Sequence, residues 1–380
     1  MPQPTGGVKE GKLEAVARVT LAEVARRAGV SQTTASFVLA GHREEMRISV
    51  QVEARVRRAA QETGYRPNVV SRNLRTGTTQ TIGFVSDTIA TTPFAGHLIW
   101  GALDAARERD HLLLIAETEG DTELEKELIE AMRDRQVEGI VLASMYTRWV
   151  AVPKVLLGGP SVLLNVLPTK PCPVAAVIPD EAEAGRAAAR ALLRAGHTHG
   201  IYVVGVGTRP GQVPKGGVAA VERLAGIKEV LFDAGVGLAG GALLRDWQPR
   251  DGYEASLRLL KRRPEPRALI CFNDRLSVGA YQALEDTGRK VGKDVSVVSF
   301  DDEPVASWLR PQLTSIAIPH YELGRKAINV LLGKGHLPPK GIVYRVPMPL
   351  RERESICHVE APVPAPGPIR SSQPKQDRRP

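Results

Sequence analysis

Cysteine, aromatic residues and long apolar runs are all scarce in this chain. The three cysteines, Cys172, Cys271 and Cys357, stand far apart, with neither a disulfide framework nor metal-ligand spacing. That usage fits a reducing compartment, and a cytoplasmic location is expected. No apolar run approaches the ~20 residues of a membrane span. The opening stretch, MPQPTGGVKEGKLEAVA, lacks the apolar segment of a secretory signal. Catalytic signatures are thin too: there is no GxSxG or HExxH, and the eight histidines are scattered. His197 and His199 follow Gly196 at a helix end, where capping or surface placement is expected rather than metal binding. The run Gly205-Val-Gly207-Thr-Arg-Pro-Gly211 has the glycines of a dinucleotide loop. Its spacing is off by one residue, however, and Pro210 would disrupt the helix start. A nucleotide-binding α/β enzyme is therefore a remote alternative. No catalytic residue, metal site or cofactor is expected, and no membrane partner.

What is abundant is positive charge, and it is unevenly placed. The net charge is +9 over 380 residues. Residues 1–78 hold 13 Lys and Arg against 7 Asp and Glu, and residues 359–380 hold 4 against 2. The long middle is nearly neutral. A basic excess at one end is the footprint of a nucleic-acid module.

That end contains Thr20 to Leu39, TLAEVARRAGVSQTTASFVL. Leu21, Val24, Ala25 and Ala28 fall at helical spacing, Gly29 breaks the pattern, and Ser31 can cap a second helix carrying Ala35, Val38 and Leu39. The spacing predicts a helix-turn-helix whose second helix enters the major groove. Ser31 as cap leaves Gln32, Thr33, Ser36 and Phe37 facing the bases. Gln suits adenine, and Thr suits a base edge or a thymine methyl. Phe37 either contacts a thymine methyl or packs against the third helix. Thr20, Ser31 and Thr34, with Arg47 and Arg55, are candidates for phosphate contacts that set register without reading sequence. A third helix runs from Ser49 to Gly64 with Val52, Val56, Ala59 and Ala60 inward.

A short segment, VVSRNLRTG, follows Asn68. A helix of about eight residues, from Asn68 to about Arg75, is too short to stand alone in water, so this one is expected to order only when held. From Thr81 short β-rich runs (TIGFVS, HLLLIAE, EGIVLAS, SVLLNV, GIYVVG, ALICFND, VSVVSFDD) alternate with helical patterns at 94–109, 122–135, 181–195, 250–262, 275–287 and 321–332. The alternation predicts parallel sheets flanked by helices, in two lobes. The expected organisation is a disordered leader (1–17), a helix-turn-helix domain (18–66), a hinge (67–78), a core (79–358) and a disordered Pro-rich tail (359–380).

Assembled in order, these stretches resemble the lactose-repressor (LacI/GalR) family of bacterial transcription regulators. The resemblance runs from about Val19 to Ser355. VTLAEVARRAGVSQTTAS, GYRPNVVSRNLRTGTTQTIGFV, NDRLSVGAYQALEDTGRKVGKDVSVVSFDD, LTSIAIPHYELGRKA and the closing RES carry it. It implies an all-α headpiece, a hinge helix and a two-lobed α/β core like that of periplasmic sugar-binding proteins. The chain would cross three times between lobes and bind ligand in the cleft. It implies a homodimer, a double-stranded operator as partner and a carbohydrate-like effector. The heptad helix of the family's tetramers is missing. By position, Leu74 matches the family's minor-groove wedge, and an exposed Leu on a marginal helix suits intercalation. The alternative is an ordinary linker residue. Asn68, Ser71 and Arg72 could contact backbone or groove.

For the effector, Asp87, Trp247, Asn273 and Asp301 match family residues in or near the pocket. Trp247 would stack on a ring. Asn273 and Asp301 end strands, where open α/β sheets bind ligands, although for each Asp helix capping is the competing role. Three departures stand out. Phe37 replaces a frequent Arg. Pro214, beside Lys215, occupies the expected place of a ligand-gripping Arg before a Gly. Ile318 replaces a polar residue. The last two leave an effector-independent regulator with a vestigial pocket as the alternative.

Overall fold

The computed structural model describes residues 19–66, 73, 77–92, 95–209, 211–214, 216–262, 265–333 and 341–359. By its contacts the chain divides into two units, Met1–Thr79 and Gln80–Pro380. Asn68, Ser71, Arg72 and Leu74 of the expected hinge lie outside the described residues, as do residues 1–18 and 360–380.

The first unit holds α1 (Leu21–Ala28), α2 (Gln32–Leu39) and α3 (Val50–Thr63). Each starts on a hydroxyl cap, which satisfies one of the N–H groups that a helix start leaves unpaired. Thr20 accepts from Glu23 N–H at 3.3 Å, Ser31 from Thr34 N–H at 3.0 Å and Ser49 from Val52 N–H at 3.3 Å. Gly29 ends α1 at φ 65°, a left-handed geometry that glycine adopts at no Cβ cost. Val24, Ala25, Ala28, Ala35, Val38, Val56, Ala59 and Ala60 form the buried core, with Val30 and Tyr65 packed against it.

The second unit has two six-stranded sheets. The first lobe begins with β1 (Thr81–Ser86), α4 (Gly96–Arg107), β2 (Leu112–Glu117), α5 (Thr122–Asp134), β3 (Gly139–Val150), β4 (Ser161–Pro168) and β5 (Ala175–Pro179). The chain then crosses to the second lobe: α6 (Glu181–Arg194), β6 (Ile201–Gly205), α7 (Val218–Asp233), β7 (Leu238–Leu243), α8 (Pro249–Leu259), β8 (Ala268–Cys271), α9 (Asp274–Asp286), β9 (Ser296–Asp301), α10 (Val305–Trp308) and β10 (Thr314–Ala317). It returns for α11 (His320–Leu331) and β11 (Val343–Val346), and crosses a third time to β12 (Leu350–Arg351). The sheet orders are β11-β5-β4-β3-β1-β2 and β12-β10-β9-β8-β6-β7. All pairings are parallel except β12 on β10. Separate apolar clusters within the first lobe, one around Phe84 and Val141 and one around Val85 and Ile140, contain alternating residues of the same strands. That alternation puts apolar packing on both sheet faces.

The six expected helices are present with ends shifted by no more than three residues. A seventh long one, α7, was not expected. Val221 and Phe232 are exposed on it while Leu224, Ile227 and Leu231 are buried. Apolar residues on both sides blur the 3.6-residue period. β5, β7, β10, β11 and β12 were also unexpected: short strands such as LAGGAL carry little β-branched signal.

Three helix pairs cross through paired glycines: Gly101 with Gly324, Gly185 with Gly226, and Gly252 with Gly279. At each, an added Cβ would collide with a backbone carbonyl oxygen of the facing helix.

Candidate effector cleft and nucleic-acid interface

A cleft of about 620 Å³ is lined from both lobes of the core. Its polar centre comes from α6 and α7, the pair closed by Gly185 and Gly226. Glu181 begins α6 immediately after the first crossing, and Arg223 lies within α7. Both are almost wholly buried. Arg223 Nε donates to Glu181 at 2.6 Å, Nη1 to the Phe272 carbonyl at 2.8 Å and Nη2 to Asp301 at 3.2 Å. The guanidinium also stacks 4.5 Å above the Phe300 ring. Such a charge set is held in place only because each member has partners.

Asp301 ends β9 at φ 103°, a conformation rare for any residue but glycine. Burial pushes its carboxyl up to about 6, against the pull of Arg223. Beneath it, buried Asp274 accepts from Ser315 Oγ–H at 2.8 Å and Glu303 N–H at 2.6 Å. Burial, with Asp301 adding to it, raises Asp274 to about 8.

Of the expected effector residues, Trp247, Asn273 and Asp301 line this cleft together. Trp247 is half-buried; its indole N–H donates to the Gly205 carbonyl at 3.2 Å, and the ring meets Phe272 edge-on. Asn273 caps α9, accepting from Leu276 N–H at 2.8 Å, and its amide N–H donates to the Trp247 carbonyl at 3.2 Å. Asn273 thus caps a helix, a role weighed from the sequence only for the aspartates, and it braces Trp247. Asp87 is not among the lining residues. Its carboxylate accepts from Ser144 Oγ–H at 2.7 Å and Met145 N–H at 2.9 Å and pairs with Arg148 at 3.3 Å, so it ties β1 to β3.

Two departures inferred from the sequence read differently in three dimensions. Pro214 does line the cleft, but the Arg that precedes a Gly is Arg223, in RLAG ahead of Gly226. The guanidinium expected from the resemblance is present, further along than it was sought. Ile318 lines the cleft and packs against the apolar clusters of both lobes, where a polar side chain would lose that packing. The glycine run near Gly207 is no phosphate cradle. Gly207 N–H donates to the Gln212 carbonyl at 2.8 Å, and the Gln212 side chain fills the space beside Gly207. His197 is buried rather than at the surface: its backbone N–H caps the end of α6 on the Leu192 carbonyl at 3.1 Å, and Nε2 lies 2.8 Å from Ser296 Oγ and 3.1 Å from the Cys357 carbonyl. Among the described residues no cluster of His, Cys, Asp and Glu could hold a metal, and no helix is long and apolar enough to cross a membrane.

The first lobe contributes residues that sequence reasoning missed. Thr147 on β3 and Asn165 on β4 are 3% and 2% exposed, and both line the cleft. Thr147 Oγ1 and Asn165 Oδ1 have no hydrogen-bond partner among the described residues. The only signal for Asn165 was a polar residue ending the apolar run SVLLN.

In the headpiece, Ser31, Gln32 and Thr33 are exposed, Thr34 is half-buried and hydrogen-bonded to Ser31 Oγ at 2.8 Å, and Ser36 and Phe37 are half-buried. Phe37 does not belong to the residues packed on the core, unlike Leu39 and Val52. The Thr20 and Ser31 hydroxyls serve as helix caps. Arg47 and Arg55 are exposed and form no ion pair among the described residues.

The profile described as bacterial regulatory proteins, lacI family, matches residues 20–68, and that of the periplasmic binding protein-like domain matches 189–356. The HTH-type transcriptional regulator AscG of Escherichia coli (strain K12) is 32% identical over 332 residues, covering 84% of this chain and 94% of AscG. The chain belongs to the lacI family of bacterial regulatory proteins. The ribose operon repressor of the same organism is 30% identical, covering 82% of this chain and 92% of that one. The crystal structure of the lac repressor dimer bound to operator and the anti-inducer ONPF matches with a TM-score of 0.72 at 25% identity. It covers 90% of this chain and 99% of the repressor. A CelR–cellobiose complex matches at 0.58 and 28%, covering 89% and 100%. This lacI-family chain is a DNA-binding transcription regulator, with a helix-turn-helix headpiece and a core shaped like a periplasmic binding protein.

Proposed function

We propose that this regulator is a dimeric repressor that binds a pseudopalindromic operator and answers to a small hydroxyl-rich ligand closed between its two lobes. The observation that carries the ligand reading is the pair of unpartnered polar atoms, Thr147 Oγ1 and Asn165 Oδ1, buried in the cleft whose other lobe presents Arg223 and Asp301. A buried polar atom left unpaired costs about 1–3 kcal/mol, so a ligand hydroxyl that satisfies it gains that much affinity. Trp247 and Ile318 supply the apolar walls that a sugar ring's C–H face needs. A ligand bonded to both lobes favours the closed arrangement. By linkage, whatever factor it applies to operator affinity, the operator applies to ligand affinity.

Gln32, Thr33 and Ser36 read bases in this proposal. Thr20, Ser31, Thr34, Arg47 and Arg55 set register on phosphates. Asn68, Ser71, Arg72 and Leu74 act as a hinge at the operator centre, with Leu74 as the wedge. The fully formed ion network at the cleft favours this reading over a vestigial pocket.

The test is calorimetric titration of the full chain with pentoses, hexoses, cellobiose and nucleosides, followed by operator titration with and without the binder. One ligand should bind and change operator affinity, and Thr147→Val should weaken that ligand about tenfold through the lost hydrogen bond. Operator affinity indifferent to every binder would refute effector control.

A further inference from the structure

The recognition helix carries no charge. α2 reads QTTASFVL, with no acidic residue in its first turn and no basic residue in its last. Ala35 and Val38 are buried in the headpiece core. At 3.6 residues per turn, Thr33, Ser36 and Phe37 share the side opposite them, with Gln32 beside Ser36. Phe37 is the largest side chain on that side, and its ring is left out of the core that takes Leu39.

A phenyl ring at a base-reading position has no donor to offer. Guanine presents two acceptors, N7 and O6, to the major groove. A ring pressed on them would strip their water and return no hydrogen bond, which is unfavourable. Thymine presents a methyl group at the same edge, an apolar partner for an apolar ring.

We propose that Phe37 selects thymine in each operator half-site by covering its 5-methyl group. The pairs read by α2 are then A·T: thymine under Phe37, and adenine where Gln32 reaches an edge. This deepens, and rests on, the chain's role as a DNA-binding regulator.

The test begins with selection of bound duplexes from a random pool by the full-length protein. Each thymine of the recovered site is then replaced singly by deoxyuridine, which pairs identically but lacks the methyl, and affinity is measured at fixed salt. One thymine per half-site should lose about fourfold on replacement, the worth of burying one methyl. Phe37→Ala should bind the thymine and uracil duplexes alike, and Phe37→Arg should enrich guanine at that position. Uracil tolerated at every position by the native protein, a measurement that needs no variant, would overturn the proposal. So would a Phe37→Ala protein that still prefers thymine. No enriched site at all would instead count against sequence-specific DNA reading itself, and the proposal would fall with it.

Discussion

Arg223 sits at the meeting point of two carboxylates, a carbonyl and the Phe300 face, and those partners come from three separate parts of the second lobe. Glu181 starts α6, Phe272 follows β8, and Asp301 ends β9. No local pattern in the sequence announces such convergence. Only RLAG, an Arg three residues before a Gly, marked the place, and Pro214 was read in its stead. Asn273 and Asp301 were legible because they end strand-like runs in recognisable motifs, and Trp247 by its place in DWQPRDGY, five residues before Gly252. Asp87, by the same logic, was placed in the cleft, yet its carboxylate is consumed by Ser144, Met145 and Arg148. Buried Asp274 makes stability depend on pH. Its folded-state value of about 8 lies above the ordinary 3.8, so folding takes up a proton between those limits. Stability therefore falls as pH rises through that window. Asp274→Asn, which removes the titrating group but can still accept from Glu303 N–H, should flatten the fall between pH 5 and pH 8 in urea-unfolding midpoints. An unchanged slope would mean that another group carries the proton; Asp301 accounts only for the part below about pH 6.

The elements were legible where their causes are local. Thr20, Ser31 and Ser49 cap helices through bonds spanning three residues, and Gly29 turns the chain by its own conformation. Elements fixed by distant neighbours were not. α7 has exposed Val221 and Phe232 opposite its buried Leu224, Ile227 and Leu231, so only its neighbours in the fold reveal which side is inward, and β11 pairs with β5 across more than 160 residues of sequence. The glycine crossings belong to this second kind. Gly226 in α7 lies against the Ala182 carbonyl of α6, and Gly185 lies against the Arg223 carbonyl, so the closeness of these helices sets the Glu181–Arg223 geometry. Gly226→Ala should push them apart and cost about 1–3 kcal/mol of stability, as overpacking does. Effector affinity should fall in the same variant. Equal Tm and equal affinity to the parent would show that the crossing has slack.

Across the whole core, three lobe crossings make each lobe discontinuous in sequence. The first sheet and its apolar cluster take β11 and α11, including Leu323, Ala327, Ile328 and Leu331, from far beyond the second lobe. A chain ended after Pro319 should therefore lose cooperative unfolding of the first lobe and become protease-sensitive there. Residues 20–66 should keep their helical protection, since their core is built within that span. A truncated chain with an intact, protease-resistant first lobe would contradict that dependence.

The same interleaving has a consequence during synthesis. The helices around Val24, Val38 and Val56 have all their core partners once about the first sixth of the chain has left the ribosome. The first lobe must wait for α11, and the second for β12, both far downstream of residue 66. The DNA-binding headpiece is thus finished long before the two-lobed core, which on the proposed function governs it. A nascent chain that stalls in that interval carries an address without an instruction.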